Sequence, residues 1–171
     1  LLVNANRPQE LEPQLASLLA QEGNQIGESL LRLNRVLMRL PDRAEVLRMV
    51  DRLTEPYLAY AEAHFARAQA ALQAREPKRA LEEASRAHEI RPEWEAGLLI
   101  KAQTVADADP PAARKLMGDY LDRYLQARDV RLQYARTLVA ERNYPEARRQ
   151  FEMILDGAPN TPDVVFAVGV L

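Results

Sequence analysis

Histidines, serines, paired carboxylates and clustered arginines are where chemistry would have to begin in this chain, and their spacing sets out no reaction centre. His64 and His88 fall on different predicted helices of one hairpin, without the short ligand spacing of a zinc or di-metal site. Ser17, Ser29 and Ser85 have no glycine-framed elbow to present a nucleophile, and only two histidines to serve as base. Acid–base work needs two carboxylates in different environments across a cleft. Glu82-Glu83 and Asp107/Asp109 are instead neighbours in sequence, which on a polar helix form a solvated face. Neither a dinucleotide-type nor a P-loop-type glycine run occurs to cradle phosphate. Arg142, Arg148 and Arg149 make the densest basic patch, but Glu141, Glu146 and Glu152 intersperse it, as on an ordinary charged helix face. The residues therefore predict no catalytic group, no metal, no cofactor and no nucleic-acid partner. Trp94 and the tyrosines Tyr57, Tyr60, Tyr120, Tyr124, Tyr134 and Tyr144 fit packing between helices better than a ligand cage.

The elements that hold these residues are marked by proline and alanine. Pro41, Pro77, Pro111 and Pro145 each stand two or three positions before Ala44, Ala80, Ala113 and Ala147. Pro56, Pro92 and Pro159 follow three of those alanines by a constant twelve positions. The alanines recur at about 34 residues with helical content between them, the signature of stacked helical hairpins, whose default role is to bind partners. Proline suits the first turn of a helix and disfavours helix just before it, so these prolines close one helix and open the next. Asp42, Glu76 and Glu146 place carboxylates near those N-termini, where the helix dipole favours them by roughly 0.3 to 1 kcal/mol.

Ala, Leu, Arg, Glu and Gln dominate the composition, and apolar residues recur at three- and four-residue steps, as in Phe65, Ala68, Leu72 and Ala80, Leu81, Ala84, Ala87. Helices are predicted at 9–22, 25–39, 42–54, 58–74, 77–90, 93–107, 111–126, 129–141, 145–156 and 162–171. Ala68, Ala102, Ala135 and Gly169 recur in the first helix of successive pairs, where small side chains let backbones approach. Phe65, Leu72, Leu98, Leu132, Leu138, Phe151 and Ile154 fill the remaining space. The 171 residues are 47% hydrophobic and 28% charged, with 23 basic against 25 acidic side chains and a formal charge of −2. That balance is too polar for a membrane span and favours neither a nucleic-acid backbone nor an anionic bilayer. Cysteine is absent, which excludes disulfides and thiolate sites and leaves the compartment open. No targeting signal is visible from Leu1-Leu2-Val3 onward.

The small residue, the alanine twelve later and the proline twelve after that resemble the tetratricopeptide repeat. Residues 61–94 carry Ala68, Ala80, Ala84, Ala87 and Pro92 in the family's places, and residues 128–161 carry Ala135, Tyr144, Ala147, Phe151 and Pro159. Residues 95–127 are a degenerate copy with Ala102 and Ala113, and residues 1–60 are degenerate N-terminal repeats held to the family mainly by Ala44 and Pro56. Residues 162–171 resemble the first helix of a following repeat, so the sequence reads as part of a longer array. The resemblance implies an all-α fold of antiparallel hairpins stacked in a right-handed superhelical solenoid. It also places Tyr144 where a bulky residue packs at the hairpin turn. The apolar run Val164 to Leu171 is unlike a polar cap, and exposed apolar surface with self-association is expected there.

In such an array the first helices line a concave groove. Carrying the pattern over, the partner-binding residues are Glu62, Phe65, Gln69 and Leu72, then Leu99, Gln103 and Ala106, then Leu132, Arg136 and Val139. Phe65, Leu99 and Leu132 stand where other tetratricopeptide domains place cations for a C-terminal carboxylate, so an extended or helical apolar segment is the expected ligand. Phe65, Leu99 and Leu132 equally fit inter-repeat core, and both readings stay open. The stretch from Pro56 to Leu171, with EAHFARAQAAL, IRPEWE and RDVRLQYARTLVAERNYPEARRQFE, also resembles proteobacterial outer-membrane tetratricopeptide lipoproteins. One such lineage is an adaptor between a carboxyl-terminal processing protease and its cell-wall hydrolase substrates. The expectation is a non-enzymatic protein-interaction scaffold in a bacterial periplasmic or outer-membrane complex, its lipid anchor outside this segment and no direct membrane insertion by it. The alternatives are a cytoplasmic assembly or regulatory adaptor, and an accessory region of an enzyme whose catalytic domain lies elsewhere.

Overall fold

A computed structural model describes residues 8–21, 23–157 and 162–170, and among these residues every regular element is helical. The chain divides into two compact units between Pro92 and Glu93. The first holds α1 (Pro8–Gln21), α2 (Ile26–Leu37), α3 (Arg43–Thr54), α4 (Ala61–Gln73) and α5 (Pro77–Ile90). The second holds α6 (Glu95–Ala106), α7 (Pro110–Arg123), α8 (Arg128–Ala140), α9 (Tyr144–Gly157) and α10 (Pro162–Val170). Consecutive helices pair as α2/α3, α4/α5, α6/α7 and α8/α9, with α4 packing on α2 and α3, and α8 on α6 and α7. Pro159, residues 1–7 and Leu171 lie outside the described residues.

The second helix of each pair starts by one rule. The N–H groups of Val46, Ala80, Ala113 and Ala147 donate to the carbonyls of Asp42, Glu76, Asp109 and Asn143, at 2.9, 2.9, 3.1 and 3.0 Å. These four residues sit at the same place in their helices and are all buried. With Val46 in place of Ala44 the steps between them become nearly equal, at about 34 residues each. Ala44 is therefore not the equivalent of Ala80: it is exposed, because Pro41 stays outside α3 and Asp42 caps it, accepting from the Glu45 N–H at 3.0 Å. Pro77 and Pro110, by contrast, occupy the first helical position of α5 and α7, with Pro111 second, and Pro145 is the second residue of α9. Asp109, the second carboxylate of the Asp107/Asp109 pair, caps α7 by accepting from the Ala112 N–H at 3.0 Å.

Two of the turns are closed by a residue in the left-handed region. Arg75 and Arg142 both have φ of 62°. Glu76 N–H reaches back to Ala71 O at 2.9 Å, and Asn143 N–H to Leu138 O at 2.8 Å, the long bond of a Schellman turn. The turn after the shorter α6 holds no such residue, and the Ala108 and Asp109 N–H groups both donate to Val105 O.

Each unit has its own core. In the first, Leu30, Leu37, Val46, Met49 and Val50 pack with Ala63, Ala70 and Ala80. The fully buried Ala68, Ala80, Ala84 and Ala87 leave room for α4 and α5 to pack closely along their length. In the second, Leu98, Met117, Tyr120 and Val130 form one cluster, and Leu138, Ala147, Phe151, Ile154 and Val164 another. Ala102 and Ala135 are buried as expected, but Gly169 is exposed, and a Cβ there would meet nothing within 4 Å. Among the described residues no helix covers that side of α10. Tyr144 is likewise 44% exposed rather than packed in its turn, since it opens α9 on the solvent side. On α10, Val164 is buried and Val165 exposed.

Candidate partner-binding site

On the first-helix side of the first unit, α4 lies beside α2. Glu62, in the opening turn of α4, is buried and forms an ion pair with Arg91 Nη1 at 2.8 Å. Its carboxylate also lies against α2: a Cβ on Gly27 would stand 2.9 Å from Glu62 Oε1, so glycine alone leaves that approach unstrained. Gln69 accepts a hydrogen bond from Asn34 Nδ2 across the same two helices. Phe65 and Leu72 are half-buried, and Leu72 packs on the core. Of these four sequence-assigned residues, the two polar ones are thus engaged inside the unit.

The second unit brings the remaining six onto neighbouring helices, three on α6 and three on α8. Leu99, Ala106, Leu132 and Val139 are half-buried, and Gln103 and Arg136 are exposed. Leu99 packs against the cluster around Leu98, while Leu132 and Val139 pack against the one around Leu138. Each of these three side chains therefore anchors its helix with one part and offers the rest. Gln103 and Arg136 make no side-chain hydrogen bond or ion pair among the described residues.

The most polar interior was not legible as such. His64 is buried, with Nδ1 2.6 Å from Glu83 Oε2 and Nε2 donating to Leu58 O at 3.0 Å. Arg67 donates from Nε to Thr54 Oγ1 at 2.8 Å and from Nη2 to Asp51 O at 2.9 Å, and pairs with Glu55. Arg79 pairs with Asp51. Burial pushes the Glu83 carboxyl up, but the hydrogen bond from His64 and the charges of His64, Arg67 and Arg79 outweigh it and hold Glu83 below the ordinary carboxylate range. Glu83 is thus no solvated neighbour of Glu82, contrary to the sequence reading. It faces inward while Glu82 pairs with Arg86 at the surface, because adjacent helical residues point about 100° apart. The usable signal is the step from His64 to Glu83, which repeats unchanged as Arg131 to Gln150.

Among the aromatics, Tyr120 and Tyr124 have ring centroids 4.5 Å apart. Tyr120 donates to Glu93 O at 2.6 Å, and burial pushes its phenol up to about 12. Trp94 is half-buried. Among the described residues, no group of three or more His, Asp or Glu could hold a metal ion, and no helix is long and apolar enough to cross a membrane.

No family model and no curated protein matches the sequence. Solved structures do match. A thermophilic tetratricopeptide-repeat protein of Thermus thermophilus is 19% identical, with 96% of each chain covered and a TM-score of 0.69. The C-terminal part of a repeat-containing protein from Cytophaga hutchinsonii is 13% identical over 92% of this chain and 65% of that one, with a TM-score of 0.62. YrrB, described as a tetratricopeptide-repeat protein with an unusual peptide-binding site, is 16% identical over 91% of this chain and 80% of its own, with a TM-score of 0.55. The fold is that of tetratricopeptide-repeat solenoids.

Proposed function

We propose that the chain is a non-enzymatic interaction scaffold that takes a protein or peptide segment on the first-helix face of its second unit. The observation that carries this reading is the half-buried set Leu99, Ala106, Leu132 and Val139 beside Gln103 and Arg136, whose side-chain polar groups no described residue uses. Such a surface suits an extended or helical segment with apolar side chains at intervals, held in register by hydrogen bonds to its backbone or polar groups. In the first unit Phe65 and Leu72 offer the same kind of surface, while Glu62 and Gln69 serve the framework. The peptide-binding site of YrrB, on the same fold, is consistent with this use. The resemblance of residues 56–171 to outer-membrane lipoprotein adaptors makes a carboxyl-terminal processing protease and a cell-wall hydrolase the first partners to test, in a bacterial periplasmic setting.

The test is to replace Leu99 and Leu132 by Glu, verify helicity by circular dichroism, and measure binding to those two candidates. Loss of binding with the fold retained is the expected result. Retention of the same partners by the folded double variant places binding elsewhere.

A further inference from the structure

Arg131 on α8 is 6% exposed, and among the described residues no carboxylate comes within ion-pair distance of it. Nη1 donates to Gln150 Oε1 at 2.7 Å and lies 3.4 Å from Met153 Sδ, and Nη2 donates to Leu125 O at 2.8 Å. Every partner is neutral, and burial pushes the guanidinium down. A buried charge without a counter-charge is costly, and a guanidinium has five donors to satisfy.

The place is not accidental in the repeat. His64, Glu83 and the Leu58 carbonyl stand two repeats before Arg131, Gln150 and the Leu125 carbonyl, at one constant offset and with the same contacts. In the intervening repeat the two side-chain positions are Leu98 and Met117, both buried and apolar. The α4/α5 hairpin thus gives its base a carboxylate, and the α8/α9 hairpin gives its cation an amide, whose Nε2 in turn donates to Glu146 Oε1 at 2.6 Å. The surroundings change in step. Asp51, Arg67 and Arg79, whose ion pairs join α3, α4 and α5 and leave a cleft of about 490 Å³ beside Asp51 and Arg79, correspond to Gly118, Tyr134 and Glu146. Between α7 and α9 the open cleft is larger, about 760 Å³, and reaches Arg131 in its wall, whereas His64 does not line the cleft of the first unit. A Cβ at Gly118 would meet only the Tyr134 ring and hydroxyl, no nearer than 3.9 Å, so the cleft has room there.

We propose that this cleft binds an acidic peptide segment, one side-chain carboxylate of the segment resting on Arg131 and a neighbouring apolar side chain on Leu125 and Met153. Those two residues are 66% and 42% exposed at the cleft, an apolar surface that an inorganic anion would leave uncovered. Asp119, Asp122 and Glu146 line it against Arg114, Lys115 and Arg149. With Arg131 that makes four basic side chains to three acidic ones, an excess that a singly charged carboxylate neutralises and a dianionic phosphate exceeds. The site lies on the second-helix side and does not depend on the first-helix face proposed above.

Calorimetric titration of the whole chain with end-blocked peptides, one with Glu between two Leu and one with Gln in its place, tests the assignment. The Glu peptide is expected to bind about tenfold more tightly or better, the worth of a charge-assisted hydrogen bond. That preference is expected to vanish in Arg131→Met and in Gly118→Asp, with helicity unchanged, and to survive Leu99→Glu. Equal binding of the two peptides, or binding of neither, overturns the proposal. So does a preference that survives Arg131→Met, phosphate competing as well as the Glu peptide, or a dimer in sedimentation that dissolves in Arg131→Met, which would make a second copy the occupant.

Discussion

His64 and Glu83 join α4 to α5 through a 2.6 Å contact that is nearly closed to solvent, the two side chains being 6% and 13% exposed. The ring is held from its other side by the Leu58 carbonyl, so it ties the chain entering α4 to the helix that follows. Arg67 and Arg79 bring positive charge to the same carboxylate, and the balance of these forces keeps Glu83 ionised below the usual range.

Acid titration should expose this arrangement. A carboxyl whose folded value lies below its unfolded one contributes stability that is present above the unfolded value and is lost as pH falls through the folded value. Denaturant unfolding of the native chain is expected to show stability declining below about pH 4. Glu83→Gln keeps the shape and removes the charge; it should cost about 1 to 3 kcal/mol at neutral pH and flatten the acid decline. An unchanged acid limb in the variant would remove Glu83 from this role.

Arg75 and Arg142 hold left-handed backbone at φ of 62°, which costs a residue with a Cβ roughly 1 to 2 kcal/mol. Arg75→Gly and Arg142→Gly should each raise stability by about 1 kcal/mol. Ala108→Gly, in the turn that lacks a left-handed residue, should bring no gain. Chemical denaturation of the three variants decides the matter.

Gly27 is the second residue of α2, where alanine gains up to about 1 kcal/mol over glycine, the full value belonging to the helix interior. Here the added Cβ would press on the Glu62 carboxylate that Arg91 holds. Gly27→Ala is therefore expected to show no gain in the native background and to recover it when Glu62 is also replaced by Ala. A double-mutant cycle measures the coupling.

The shift of register in α3 separates Ala44 from Ala80. Ala80→Leu should cost about 1 to 3 kcal/mol by overpacking the α4/α5 contact, whereas exposed Ala44→Leu should stay within about 0.5 kcal/mol of the native chain. Equal costs at the two sites would contradict this register.

Period and local propensity made the helices legible, because a proline at a helix start and an apolar step of three or four act over a few residues. The same local marks misled at Ala44, where capping by Asp42 moves the equivalent position to Val46, and at Tyr144, whose turn leaves it in solvent. Of the residues assigned to the first-helix face, Leu99, Ala106, Leu132 and Val139 come onto neighbouring helices with Gln103 and Arg136, but Glu62 and Gln69 are taken up by Arg91 and Asn34. Nothing near Glu62 in sequence announces Arg91 or the glycine at position 27.

Helix starts, turns and small-residue packing are encoded within each repeat, so amino-acid order alone prescribes a series of helical hairpins with one recurring period. Which polar side chains are spent inside, and which stay available, is settled at a longer range, by partners on other helices. A carboxylate at Glu83 answers His64, an amide at Gln150 leaves Arg131 without a counter-charge, and Gly118 opens the space beside it. Burial and charge pairing are properties of the assembled neighbours, and repeats of one shape can differ in them completely.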